Sequence, residues 1–93
     1  MSINRGDLFE VKVEFDSLKR DLRKIDSDVD VGYNCDIDLN IDGCTVCYFD
    51  SYDVNGFEFL SSIENFSGND IMPAVIKFYN EGKKILSKYL EVK

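Results

Sequence analysis

The stretch that decides the fold is Asp28–Asp42, DVDVGYNCDIDLNID. Its odd positions are apolar: Val29, Val31, Tyr33, Cys35, Ile37, Leu39 and Ile41. Its even positions are polar or glycine: Asp28, Asp30, Gly32, Asn34, Asp36, Asp38, Asn40 and Asp42. A period of two means β-structure with one face on a core and one in water. The wet face is a column of aspartates, so this stretch carries both the fold and the electrostatics.

Working outward, the column ends at Asp42-Gly43, and a second Asn55-Gly56 pair follows. Both dipeptides favour two-residue hairpins, because a type I′ turn needs positive φ at both central positions. That register sets Ile41 against Cys44, Leu39 against Val46 and Ile37 against Tyr48. Across the second turn it sets Val54 against Phe57, Tyr52 against Phe59 and Tyr48 against Ile63. Phe49 and Leu60 then face outward. Asp50 falls on the inner face, which only a bulge would relieve.

Upstream, Phe9, Val11, Val13 and Phe15 alternate with charged residues, a strand pattern over 8–15. A helix over 17–26 follows, capped by Asp16 or Ser17, with Leu18, Leu22 and Ile25 inward. Leu8, Val11, Phe15, Leu18, Leu22 and Ile25 also fit helical spacing, so one long helix is the alternative. Downstream, a loop at Ser67-Gly68-Asn69 precedes a helix over roughly 70–91. Its apolar stripe is Ile71, Val75, Phe78, Ile85, Leu86 and Tyr89, and Gly82 interrupts it at a cost of about 1 kcal/mol. The expectation is one α+β domain over residues 1–93, ordered β-α-β-β-β-α. A four-stranded, mostly antiparallel sheet carries both helices on one face and an acidic surface on the other.

Charge narrows the function classes. The chain has 93 residues and net charge −7. No Lys or Arg occurs between Ile25 and Ile76, a block of charge −11 flanked by ends of +1 and +3. Such a field repels nucleic acid and membrane surfaces and attracts cationic partners. No apolar run approaches the roughly 20 residues of a membrane span. The start, MSINRGDLFEVKVEF, has no signal-peptide core, so a cytoplasmic protein is expected.

Chemistry is scarce. There is no His, which removes Ser-His and Cys-His nucleophile pairs. Cys44 and Cys47 read C-x-x-C in a β-rich run, where the odd spacing sends them to opposite faces. With Cys35 they fall short of a zinc set, so free thiols are expected. Asp26-Asp28-Asp30 and Asp36-Asp38-Asn40 begin like calcium loops but lack the later Gly and bidentate Glu. No cofactor, metal or catalysis is expected.

The acidic face remains. Aspartate is a poor strand former, and like charges at i and i+2 repel. A surface tuned for solubility alone would mix signs. A cationic partner is therefore expected at Asp28, Asp30, Asp36, Asp38, Asp42, Asp53 and Glu58. Two partner classes fit: a DNA-binding protein that the face deceives, or a cationic nuclease toxin blocked by an immunity-type inhibitor. In size, acidity and the column DIDLNID, the chain resembles the small acidic DNA-mimic and anti-restriction proteins of bacteriophages (Arn-like). The resemblance implies a protein that occupies the DNA-binding site of a host restriction or defence nuclease, in the host cytoplasm, with room for a homodimer.

Overall fold

The computed structural model describes residues 5–60 and 71–89. Helix α1 (Arg5–Leu22) leads into strands β1 (Val29–Tyr33), β2 (Asp36–Ile41), β3 (Cys44–Asp50) and β4 (Phe57–Phe59), and helix α2 (Met72–Tyr89) closes the order. The strands form one antiparallel sheet in the order β1-β2-β3-β4. Both helices cover one sheet face, and the core between holds Phe15, Phe49 and Phe78. The α+β class stands, with an element order of α-β-β-β-β-α.

The first correction is at 8–15, which is part of α1 and not a strand. Val11, Phe15, Leu18 and Leu22 are buried on one stripe, while Phe9 is 66% and Val13 47% exposed. Burying one such side chain is worth about 1.5–3 kcal/mol. The whole β-propensity scale spans only about 1 kcal/mol, so the helical stripe prevails over the alternating β-formers. The helix ends at Leu22, and Ile25 is exposed outside the core.

The fourth strand comes from inside the aspartate column. The chain turns at Asn34 and Cys35, so 28–42 is a hairpin of β1 and β2. Tyr33 pairs with Ile37, Val31 with Leu39 and Val29 with Ile41. Odd residues pair with odd, so the alternation passes through the turn unbroken. The free edge of β1 is tied to α1 and to the turn that follows it. The Tyr33 hydroxyl donates to Asp16 Oδ1 at 2.9 Å, and Arg23 Nε donates to the Val29 carbonyl at 2.8 Å.

The Asp42-Gly43 turn is as expected, with φ of 52° and 79°. Ile41 faces Cys44 and Asn40 faces Thr45, but Leu39 then faces Cys47, because a bulge at Val46 shifts the register. Beyond it Ile37 faces Phe49, not Tyr48, and Asp36 faces Asp50. Phe49 is therefore buried, and Asp50 is exposed. The inner-face Asp50 left by an unbulged register disappears, since no carboxylate is forced into the core. The same shift pairs Cys47 with buried Leu39 while Cys44 pairs with buried Ile41, so the two cysteines share one face, which corrects the expected opposite placement.

Asn55-Gly56 does not make a two-residue hairpin. Residues 51–56 form a longer loop in which Asp50 N donates to the Gly56 carbonyl at 2.9 Å. Positive φ falls instead at Ser51 (51°) and Tyr52 (57°). Phe57 pairs with Phe49, Glu58 with Tyr48 and Phe59 with Cys47, replacing the expected Val54, Tyr52 and Ile63 pairs. Ile63, the loop 67–69, and the expected helix ends at 70 and 90–91 lie outside the described residues.

Helix α2 buries Ala74, Val75, Phe78, Gly82, Ile85 and Leu86. It is joined to α1 by Glu14, which pairs with Lys88 Nζ at 2.6 Å and accepts from the Tyr89 hydroxyl. These partners hold the Glu14 carboxyl below its ordinary range.

Candidate functional site: the open face of the sheet

The face away from the helices is built by strand parity. It carries Asp30 and Gly32 from β1, Asp36, Asp38 and Asn40 from β2, Thr45, Tyr48 and Asp50 from β3, and Glu58 from β4. Folding the column into a hairpin converts a line of charge into a patch. Neighbouring strands lie about 4.8 Å apart, and alternate residues about 6.8 Å apart along one strand. Asp36, Asp38, Asp50 and Glu58 thus share one part of this face.

The seven expected residues separate into four groups. Asp36, Asp38 and Glu58 come together on the open face. Asp28 and Asp42 lie at one end of the sheet, where Asp42 N donates to the Asp28 carbonyl at 3.1 Å. Asp53 sits in the loop after β3 and accepts from Asn55 N at 2.9 Å. Asp30 faces outward but has cations nearby, Lys19 Nζ at 3.8 Å and Arg23 Nη2 at 3.7 Å. Helix α1 and the residue that follows it therefore relieve one end of the column, which the strand sequence did not show.

Two residues join the site from outside the expected set. Asp50 faces outward opposite Asp36, a like-charged pair directly across two strands. Tyr48 lies between Asp38 and Glu58 in the cross-strand row. Its hydroxyl donates to Glu58 Oε2 at 2.7 Å, and this bond raises its pKa. Both depend on the bulge. The available signals were the misplaced Asp50 and the adjacent apolar pair Val46-Cys47, which breaks the alternation.

The local field shifts the ionisable groups around it. Asp38 is pushed up to about 6, first by burial and then by its hydrogen bond to Asp36 and the charge of that group. Its carboxylate lies against Gly32, where a Cβ would stand 3.4 Å from Asp38 Oδ2. Burial, aided by the Asp38 charge, pushes the Cys47 thiol up to about 12. Burial and the charges of Asp36, Cys35 and Asp38 also raise Tyr52.

Cys35, Cys44 and Cys47 are free thiols. Among the described residues, no three His, Cys, Asp or Glu side chains are placed to hold a metal ion. No described helix is long and apolar enough to cross a membrane. A separate apolar groove of about 380 Å³ runs between β4 and α2, lined by Phe57, Phe59, Met72, Val75, Ile76 and Tyr79. No family model, curated protein or solved structure matches this chain.

Proposed function

We propose that this protein is an acidic DNA mimic without catalysis of its own, which occupies the DNA-binding site of a basic DNA-binding protein such as a host restriction or defence nuclease. The observation that carries the reading is the patch of Asp36, Asp38, Asp50 and Glu58 on three adjacent strands. No ion pair to a described Lys or Arg offsets these four carboxylates. Opposed like charges destabilise a sheet, so the patch is kept against its local cost. A duplex presents one charge per about 1.7 Å of axis, and a two-dimensional patch approaches that density more closely than a single column.

A second reading, an immunity protein for a cationic nuclease toxin, is favoured by one observation. The patch has an aromatic residue, Tyr48, at its centre, in the manner of a localised binding hot spot.

The test begins by capturing partners from the natural host and measuring competition with duplex DNA. A mimic is displaced by DNA, loses affinity as salt rises, and weakens in small, similar steps as Asp36, Asp38, Asp50 and Glu58 are amidated singly. An immunity protein shows one or two dominant positions. If amidating Asp36, Asp38 and Asp50 together leaves affinity and salt dependence unchanged, the face is only solvated surface and both readings fall.

A further inference from the structure

The bulge at Val46 turns Tyr48 out of the core and into the middle of the carboxylates. Asp38 is its partner on one side and Glu58 on the other, while Asp36 and Asp50 form the next cross-strand pair. The side chain is half-buried on the sheet, and its hydroxyl, at an exposed position, is held by Glu58. An aromatic ring bordered by acceptors on both sides suits one cation better than others. A guanidinium is planar, stacks on aromatic faces and donates in a fork that matches carboxylates, whereas an ammonium is a compact, strongly hydrated point charge.

We infer that Tyr48 is the specificity-determining residue of the open face, stacking an arginine of the partner while Asp38 and Glu58 accept its N–H groups. The inference rests on the reading of this face as a binding surface and adds to it the identity of the cation. Charge alone would take lysine and arginine alike, so the ring supplies the discrimination. The face then fits a partner whose DNA-binding site is centred on arginine, not one lined by lysines.

The experiment uses the full chain with two capped probes of equal length, an oligo-arginine and an oligo-lysine peptide, titrated by calorimetry at low and moderate salt. The native protein should bind the arginine peptide more tightly by about two- to fivefold, the range of an exposed cation–aromatic contact. Tyr48→Leu should bring the arginine peptide to the affinity of the lysine peptide and leave the latter within about twofold. Tyr48→Phe keeps the ring and should keep the preference, and matching thermal unfolding of the variants shows that the fold is retained. Equal binding of both peptides by the native protein, or a preference that survives in Tyr48→Leu, would overturn the inference and leave the acidic-face reading standing. Binding of neither peptide would overturn both.

Discussion

Gly82→Ala sets two well-defined effects against each other. In mid-helix, alanine is favoured over glycine by about 1 kcal/mol, so helix propensity alone calls for a more stable protein. The packing calls for the opposite. A Cβ at position 82 would stand 2.6 Å from Phe49 Cε2 and 3.1 Å from both Phe15 Cε1 and Cζ. Neither ring can easily retreat. Both are fully buried, their centroids lie 6.3 Å apart, and each packs on Phe78, at 5.9 Å from Phe15 and 5.4 Å from Phe49. Overpacking of this kind costs about 1–3 kcal/mol, and a contact at 2.6 Å against an immobile ring belongs at the upper end. The net expectation is a loss of about 1–2 kcal/mol, read as a lower midpoint in urea at unchanged slope. In a domain of this size that is a fall in Tm of about 4–16 °C. Combining Gly82→Ala with Phe49→Leu should show favourable coupling, because the smaller side chain relieves the clash. If Gly82→Ala alone raised stability by the propensity gain, α2 would not lie against Phe49, and the packing of Phe15, Phe49 and Phe78 beneath it would be refuted.

Further outcomes follow from the turn, the face and the thiols. Gly43→Val places a β-branched residue at φ 79° and should cost at least about 1 kcal/mol in chemical denaturation. Asp38 titrates near 6 in the folded protein against an ordinary 3.8, so its folded-state pKa is raised. Its contribution to stability is full below the ordinary value and is lost as pH rises through 6. Asp38→Asn should therefore flatten the fall in stability across that window, and carboxyl NMR titration should give the Asp38 midpoint directly. Native-state thiol titration should modify exposed Cys35 first, whereas buried Cys47, pushed up to about 12, should react only on unfolding.

What the sequence disclosed and what it hid have physical explanations. The Asp42-Gly43 turn was legible because a type I′ turn is a local demand on two residues, and the α2 stripe was legible because a single period ran through it. The turn at Asn34-Cys35 was hidden by its own parity, since pairing odd residues with odd leaves the alternation intact. The start of the chain was misread because alternation and helical spacing share Val11 and Phe15. Only the burial of Leu18 and Leu22 on the same stripe, with Phe9 and Val13 left in water, separates the two. At the candidate site, Asp36, Asp38 and Glu58 were legible as outward acidic positions. Tyr48 and Asp50 were not, because a bulge is one residue of slack and no local propensity announces it.

That one residue of slack links the stability of the protein to its surface. With Val46 bulged, Phe49 enters the core, where it touches Phe15, Phe57 and Phe78. In an unbulged strand Phe49 would face water and Asp50 would face the helices, losing about 1.5–3 kcal/mol of aromatic burial and adding the far larger cost of an unpaired buried charge. Packing alone is thus enough to select the bulge. Once it is selected, strand alternation obliges Tyr48 and Asp50 to point outward, beside Asp38 and Asp36. What packing does not require is that those outward positions be acidic, since Lys or Thr would satisfy the same register with less repulsion. The core therefore accounts for the geometry of the face and leaves its charge unaccounted for, and it is that remainder which the proposed cationic partner explains.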